Sequence, residues 1–258
     1  MDLGLFTVSL NIIFGQMIDF KYKEIDQEGL EVLEAINVAK NFNHWMYKTI
    51  VPHCSGNILE IGSGIGNIST HFLENGHDIV LSDIRENYRS ILADKFMAYQ
   101  PQIIDLDMVH TDFDNHYRHL LNTFDTVYAL NVVEHIEDDR GAIRNAKKLL
   151  RKGGKMIILV PAFNTLYNGI DRSLEHYRRY TIKTLTNIMS PELSIIHQRY
   201  FNFLGILGWV VMGGVFKRSD IKSNQTRVYE MLLPVAKGLD SIFKHFFGLS
   251  VIVVGVKE

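Results

Sequence analysis

A short apolar segment that runs into a cluster of glycines constrains this chain more than any other feature. Residues 57–61 (NILEI) have the character of a short buried strand, and Gly62, Gly64 and Gly66 follow at once. A glycine-rich turn between a strand and a helix directs backbone N–H groups and the positive end of the helix dipole toward a ligand. The spacing G-x-G-x-G differs from the nicotinamide and flavin fingerprint G-x-G-x-x-G, and no P-loop lysine follows it. The turn therefore predicts a ligand site without naming the ligand.

The alternation of strands and helices continues beyond this turn. The spacing of apolar residues predicts strands at 57–61, 78–82, 106–110, 126–130, 155–160, 193–200 and 250–256. It predicts helices at 31–48, after the glycine turn to Gly76, around 88–96, at 139–152 and at 182–189. Strands that alternate with helices through short loops predict a doubly wound α/β fold with a mostly parallel, seven-stranded sheet and an antiparallel last pair.

The 258 residues are expected to form one domain. We divide it into an N-terminal extension and helix (1–52), a core (53–201), an insertion (202–249) and a last strand (250–258). The first 20 residues are apolar and lack the features of an export signal, so they predict a loosely packed extension or, alternatively, an interfacial or lid helix.

The first half of the insertion is a second strongly apolar part of the chain. Residues 201–216 contain no charged side chain, and 228–246 have the apolar stripe of an amphipathic helix that Pro234 should interrupt. Sixteen residues are too few to cross a bilayer, which takes about 20. We expect the insertion to cover the substrate with apolar walls, and contact with a membrane surface is the less favoured alternative.

Composition excludes some classes of protein. The 27 basic and 29 acidic residues give a formal net charge of −2, so no global field attracts nucleic acid. A single cysteine, Cys54, rules out an internal disulfide and any cysteine-based zinc site. It also favours a reducing compartment, which predicts a cytoplasmic protein.

Five motifs occur in the order in which one family carries them. They are ILEIGSGIGNIS, LSDI with Asp83, VHTDF with Asp112, ALNVVEHIEDD, and LLRKGGKMIILVP. Over about residues 30–200 the chain resembles the class I methyltransferases that use S-adenosylmethionine, and in particular a bacterial subgroup grouped with the ubiquinone-biosynthesis type. The resemblance implies that S-adenosylmethionine is the cofactor. It implies a cofactor-binding set of Glu60, Gly62, Ser63, Gly64, Gly66, Asp83, Ile84, Asp112, Phe113 and Asn131.

Within this set, Asp83 is expected to accept hydrogen bonds from the ribose hydroxyls and Asp112 to meet the adenine amine. Glu60 either lies near the amino-acid end of the cofactor or anchors the glycine turn. A solvated acidic loop is the alternative for Asp112, and a solvated turn for Asp83.

The candidate catalytic residues are His135, His176, Arg178 and Arg179. His135 follows the fourth strand, with Asn131 and Glu134 beside it, and is a candidate base or a structural histidine. Arg178 and Arg179 either grip an anionic acceptor or hold the scaffold through Asp171 or Glu175. The neighbouring His110, His116 and His119 have no standard ligand spacing, so we predict no metal.

The resulting functional prediction is methyl transfer from S-adenosylmethionine to a small or extended organic acceptor, at oxygen. The acceptor is expected to be a small molecule, lipid-linked or a peptide, possibly anionic, and no nucleic acid is expected as a partner. Methylation of a carboxylate, including a peptide C-terminus, is one alternative. A fold that binds S-adenosylmethionine as a sensor without turnover is the other.

Overall fold

The centre of the molecule is a seven-stranded sheet. The structure, a computed structural model, describes residues 12–13, 16–17, 27–211 and 223–258. The strands are β1 (Ile58–Ile61), β2 (Ile79–Ser82), β3 (Ile103–Ile104), β4 (Phe124–Leu130), β5 (Leu150–Pro161), β6 (Ser194–Phe201) and β7 (Ser250–Val256). Their order across the sheet is β3-β2-β1-β4-β5-β7-β6. All neighbours are parallel except β7, which runs antiparallel to both β5 and β6, so the predicted fold class is confirmed.

Helices pack on both faces of this sheet. They are α1 (Gln27–Asn37), α2 (Lys40–Ile50), α3 (Ser69–Glu74), α4 (Glu86–Lys95), α5 (Phe113–His116), α6 (Asp139–Leu149), α7 (Gly169–Ser173), α8 (Ile182–Met189), α9 (Gly205–Trp209) and α10 (Ser223–Phe243). Alternate side chains of β4 enter two different cores: Val127 and Ala129 lie in one, and Tyr128 lies in the other. Both faces are covered, which explains why the central strands are apolar almost throughout.

The strand order places four loops on one edge. In an open parallel sheet, ligands bind outside the carboxyl ends of the strands, where the strand order reverses. Here the reversal lies between β1 and β4, which pair through Ile58–Thr126 to Ile61–Ala129. The loops after β2, β1, β4 and β5 therefore meet at the same edge.

The third strand lies earlier than predicted. The sheet uses Ile103–Ile104, whereas the expected strand at 106–110 is a turn. Leu106 and Met108 are buried in the core. The apolar residues at every second position here therefore belong to a buried loop and not to a paired strand. The Asp107 carboxylate accepts a hydrogen bond from the Val109 N–H at 2.9 Å, which is the turn chemistry of an aspartate.

The expected single helix at 31–48 is two helices. The chain turns between α1 and α2, where the Asn43 side-chain amide donates to the Ile36 carbonyl at 3.1 Å. Two smaller boundaries also differ: α6 ends at Leu149 and not at 152, and α10 continues through Pro234.

The extreme N-terminus is mostly outside the described residues. Ile12–Ile13 and Gln16–Met17 pair as a short antiparallel hairpin, so the expectation of a lid helix is wrong for these four residues. Most of the first 20 residues, and residues 212–222 of the insertion, lie outside the described part of the chain.

Candidate functional site

The turn after β1 adopts a conformation that only glycine accepts readily. Gly62, Gly64 and Gly66 have φ of 69°, 53° and 74°, in the left-handed region. A Cβ on Gly62 would lie 2.5 Å from the Val132 side chain, and a Cβ on Gly66 would lie 2.5 Å from the Phe96 ring. The glycines are therefore required by both backbone conformation and space. Ser63 closes the turn, since its Oγ accepts from the Ser82 N–H at 3.2 Å.

Asp83 joins the end of β2 to this turn. One carboxylate oxygen accepts from the Gly64 N–H at 3.0 Å, and the other accepts from the Arg85 N–H at 3.0 Å. The side chain is buried, and burial raises the pKa of Asp83 although these two hydrogen bonds oppose the shift. A carboxylate has about four acceptor positions. Two remain for another donor at this edge of the sheet.

Glu60 lies beneath the turn. Glu60 is buried, and its carboxylate accepts a hydrogen bond from the Ser69 hydroxyl at the start of α3. Burial raises the pKa of Glu60 to about 7, with the hydrogen bond from Ser69 opposing the shift. This geometry ties β1 to α3, which is the anchoring role considered for Glu60.

The other predicted cofactor-binding residues differ in exposure. Asp112 is exposed and accepts from the Asn115 side-chain amide at 2.8 Å, whereas the Phe113 ring is buried in the core. Ile84 and Asn131 are exposed at the ends of β2 and β4. Asn131 has a φ of 55°, which bends the chain sharply away from the strand. Phe113 is therefore placed to pack and not to present its ring to a ligand.

Glu134, His135 and His176 form one cluster, which we call the Glu-His-His cluster. Each residue places a possible ligand atom within 4.8 Å of the other two. The His135 and His176 rings are nearly perpendicular with centroids 4.6 Å apart. Glu134 and His135 follow β4 and His176 follows β5, so two adjacent strands bring the cluster together.

Exposure divides the cluster. Glu134 and His176 are buried, whereas His135 is exposed. Within the described part of the chain, neither Glu134 carboxylate oxygen accepts a hydrogen bond from another residue. Burial raises the pKa of Glu134 to about 8, although its own backbone N–H and Arg179 oppose the shift.

Asp171 connects His176 to Arg179. Its Oδ1 lies 2.9 Å from His176 Nδ1 and accepts from Arg179 Nε at 2.7 Å. Burial raises the pKa of the Asp171 carboxyl, but His176 and Arg179 outweigh it and the net shift is downward. The Arg179 guanidinium also donates to the Ala162 carbonyl at 3.1 Å and lies over the Trp209 ring, 4.4 Å from its centroid. Arg179 is therefore fully engaged inside the protein.

Arg178 is paired as well. Its guanidinium lies 2.8 Å from Asp139 Oδ2 and donates to the Glu137 carbonyl at 2.8 Å. Both arginines are therefore charge-paired within the protein. Sequence proximity suggested only Asp171 and Glu175 as partners, whereas Asp139 comes from α6. The geometry favours the scaffold alternative for both arginines.

The insertion does not form a closed apolar wall where it is described. Trp209 reaches the site, and its indole N–H donates to the Leu166 carbonyl at 3.0 Å. Most large apolar side chains of the insertion face outward instead. The exposed ones are Leu207, Val210, Val211, Val228, Met231, Leu232, Val235, Ile242, Phe246 and Phe247. In the described residues, no helix is both long and apolar enough to cross a membrane.

Two other features lie outside the glycine turn and the Glu-His-His cluster. A cavity of about 340 Å³, lined by Asn57, Asp78 and Gln102 among others, opens at the amino ends of β1–β3. His110 and His116 stack with centroids 4.4 Å apart on an exposed loop. Neither feature borders the glycine turn.

Sequence analysis named His135 and His176 singly but missed their grouping with the unpartnered Glu134. The two histidines are 41 positions apart. The available signal was topological: both loops follow strands that are neighbours in the sheet, so their residues meet at one edge.

Comparisons with known proteins agree with this architecture. A family described as a methyltransferase domain matches residues 59–156. Uncharacterized methyltransferases of Bacillus mycoides and Bacillus anthracis are 26% identical over 181 residues, which covers 69% of this chain and 74% of each relative.

Solved structures share the fold. A methyltransferase of Thermotoga maritima, described as S-adenosylmethionine-dependent and possibly acting on histamine nitrogen, aligns with a TM-score of 0.60 and 13% identity over 91% of this chain and 98% of its own. Phosphoethanolamine N-methyltransferase 2 of Haemonchus contortus, in complex with S-adenosylmethionine, aligns with a TM-score of 0.56 and 18% identity over 84% of this chain and 52% of its own. The domain match, the relatives and the shared fold together support a class I S-adenosylmethionine-dependent methyltransferase.

Proposed function

We propose that the protein methylates an oxygen atom of a small or extended organic acceptor. The observation that carries this proposal is the Glu-His-His cluster, which lies on the same edge as the glycine turn. An acceptor hydroxyl must lose its proton during methylation, and a carboxylate and two imidazoles are groups that receive or displace protons. His135 is the member of the cluster that an acceptor can reach, because its side chain is exposed.

The cofactor part of the site fits S-adenosylmethionine. The positive-φ glycines let a ligand approach the backbone closely, and Asp83 keeps two acceptor positions for the two ribose hydroxyls. Ile84 is exposed beside Asp83 and offers an apolar contact to the nucleoside. Bound there, S-adenosylmethionine supplies a methyl group on a positively charged sulfur. The chain's own task is then to align the acceptor and to exclude water.

The roles of the remaining predicted residues follow from their surroundings. Gly62, Ser63, Gly64 and Gly66 shape the turn, and Glu60 supports it from below. Asp112 and Asn131 are exposed and free to meet the adenine and the amino-acid end. Phe113 contributes packing behind the adenine site.

Two observations favour a hydroxyl acceptor over a carboxylate. Arg178 and Arg179 are both ion-paired within the protein, so neither is left to hold an anionic acceptor. A carboxylate acceptor needs no base, and the cluster would then have no task. The sensor alternative likewise leaves the cluster without a task.

Turnover against a panel of acceptors tests the proposal. The purified protein is incubated with S-adenosylmethionine labelled on the methyl group and with matched phenols, catechols, carboxylic acids and primary amines. We expect label in methyl ethers, identified by mass spectrometry and NMR of the product. Label found only in methyl esters or methylamines would contradict oxygen methylation of a hydroxyl.

A His135→Gln variant provides the matched comparison. It should lower kcat for a hydroxyl acceptor and leave the affinity for S-adenosylhomocysteine unchanged, because His135 lies on the acceptor side. The exposed His119→Gln should change neither quantity.

A further inference from the structure

We infer that Glu134, His135 and His176 bind a divalent transition-metal ion beside the cofactor site. Their ligand atoms lie within 4.8 Å of one another and come from the loops after β4 and β5. Metal–ligand distances of about 2.1 Å separate neighbouring ligands by about 3–4 Å, so small side-chain rotations close the site. The catalytic part of this inference rests on the proposed oxygen methylation, and metal binding itself does not.

The Glu134 carboxylate is the strongest evidence for a missing cation. Glu134 has no exposed surface, and among residues 27–211 and 223–258 neither of its oxygens finds a hydrogen-bond donor from another residue. A buried polar group without a partner costs about 1–3 kcal/mol, and a charged one costs more. The nearest cation, Arg179, is already bound to Asp171 and to the Ala162 carbonyl. In the described part of the chain the two buried Glu134 oxygens therefore have no partner, and a metal ion would supply one.

His176 is held in the form that binds metals. A carboxylate only accepts hydrogen bonds, so the contact of 2.9 Å to Asp171 Oδ1 assigns the proton to His176 Nδ1. Nε2 then carries the lone pair. A histidine whose other nitrogen donates to a carboxylate is the usual second-layer arrangement at protein metal sites. Arg179 in turn fixes Asp171 through an ion pair, so Asp171 and Arg179 together hold the orientation of the His176 ring.

The ligand set selects the kind of metal. Two imidazoles and one carboxylate suit Mn²⁺, Fe²⁺, Co²⁺ or Zn²⁺, whereas Mg²⁺ prefers oxygen ligands alone. Three protein ligands leave at least one position open, which is the pattern of a catalytic and not a structural site. Because His135 is exposed, a small molecule can reach this side of the cluster.

The ion has a defined use in methylation of a hydroxyl. An acceptor oxygen bound at the open position loses its proton to solvent more readily, as water does on zinc. The oxygen then forms a bond to the methyl carbon while the bond from carbon to sulfur breaks. The sulfonium keeps that electron pair and leaves as the neutral thioether of S-adenosylhomocysteine. In this arrangement His135 is a metal ligand and not the base, and the metal ion lowers the pKa of the acceptor hydroxyl in its place.

Cobalt binding tests the site without any turnover. The protein is stripped with a chelator, dialysed and titrated with Co²⁺, and visible absorption and calorimetry are recorded. We expect one Co²⁺ per chain, with the absorption bands of a site that contains nitrogen ligands. Zn²⁺ added afterwards should displace Co²⁺ and abolish the bands.

Variants locate the ion. Glu134→Gln and His135→Asn should each weaken Co²⁺ binding at least about tenfold, and Asp171→Asn should weaken it about 10–100-fold by freeing His176. His135 is exposed, so its variant tests the site even if a buried variant fails to fold. The double variant His110→Ala/His116→Ala removes the exposed stacked pair and should leave Co²⁺ binding unchanged.

The outcomes separate the metal from the proposed reaction. Co²⁺ binding that survives His135→Asn and Glu134→Gln, or that is lost with His110 and His116, would overturn the metal site. If methyl ethers form at full rate after chelation, the metal has no role in the reaction, and the proposal of oxygen methylation still stands. A metal bound at the cluster together with products methylated only on nitrogen would keep the site and refute the proposed function.

Discussion

At the scale of single residues, the site depends on carboxyl groups that are buried, where an ionised carboxylate is destabilised by the loss of solvent. Glu60 is buried beneath the glycine turn, and Asp83 is buried at the end of β2. Glu60 meets one hydroxyl donor in Ser69, whereas Asp83 accepts from two backbone N–H groups. The two acids therefore respond differently to substitution.

Glu60 should make the protein less stable as pH rises. Its pKa is raised from 4.5 to about 7, so the folded state favours the protonated acid. The resulting contribution to the free energy of unfolding is fully present below pH 4.5 and is lost as the pH rises toward 7. It amounts to about 3 kcal/mol, because one pKa unit corresponds to about 1.4 kcal/mol. We expect Glu60→Gln to remove this loss. Urea unfolding of the cofactor-free protein from pH 4.5 to 7.5 measures it.

The expected pattern is a difference between variant and wild type that grows with pH in favour of Glu60→Gln. Glu74→Gln, on the exposed face of α3, is the control and should leave the pH dependence of the wild type intact. A constant difference across the range would show that Glu60 is ionised in the folded state.

Asp83 should determine the affinity for the cofactor. Asp83→Ala removes the acceptors proposed for the ribose hydroxyls and frees the Gly64 N–H that shapes the turn. We expect binding of S-adenosylhomocysteine to weaken by about 1–3 kcal/mol, since unpaired polar groups cost this much. Calorimetry measures it, with the exposed Asp94→Ala on α4 as the control. An unchanged dissociation constant in folded Asp83→Ala would remove Asp83 from the site.

At the scale of elements, the loop after β5 is held by the helix beside it. Arg178 pairs with Asp139 at the start of α6, and the Tyr180 hydroxyl donates to the same carboxylate at 3.0 Å. The Tyr177 N–H donates to the Glu134 carbonyl at 2.8 Å. These contacts join the loops after β4 and β5 into one unit, which keeps the Glu-His-His cluster assembled.

Arg178→Lys should therefore cost stability and spare the kinetics. Lysine keeps the charge but cannot reach both Asp139 and the Glu137 carbonyl with a planar fork. We expect a loss of about 1–2 kcal/mol in the free energy of unfolding, of the order of one or two hydrogen bonds to charged groups. Thermal unfolding and steady-state kinetics measure the two effects. Arg172→Lys, at an exposed position of α7, is the control.

The opposite result has a clear meaning. A rise in KM for the acceptor with an unchanged melting temperature would restore Arg178 as a residue that grips the acceptor. It would also return the carboxylate alternative to consideration.

At the scale of the whole molecule, the insertion fastens the N-terminal helices to the sheet. Glu230 of α10 accepts from the Asn41 and Phe42 backbone N–H groups at 3.1 and 2.7 Å, at the start of α2. Further along α10, Asp240 is buried and ion-paired with Arg199 of β6. One helix therefore contacts both α2 and β6, at the edge of the sheet.

Glu230 acts as an N-terminal cap supplied from 188 positions away. Glu230→Ala should destabilise the protein by about 1–2 kcal/mol, because it leaves helix N–H groups unpaired and removes a negative charge from the positive end of the helix. Lys237→Ala, at an exposed position of the same helix, should have little effect. Chemical unfolding distinguishes them, and equal stabilities would show that water replaces the cap without cost.

The sequence by itself determined the fold class and the position of the glycine turn. Both depend on local patterns: apolar strands covered on two faces, glycines whose positive φ excludes other residues, and Asp83 directly after a strand. Such features are readable because each is decided within a few neighbouring residues. The third strand was misplaced because the buried Leu106 and Met108 imitate a strand pattern while lying in a turn.

The tertiary structure decided the partners of the charged groups. Arg178 meets Asp139 and Glu230 meets α2, whereas the Glu134 carboxylate meets no donor from any other residue that the structure describes. These outcomes depend on which loops the sheet order brings to one edge, a property of the whole topology. Side chains far apart in the chain have no local signature of their contact. Whether a charge is paired or left for a ligand is therefore settled only when the chain has folded around it.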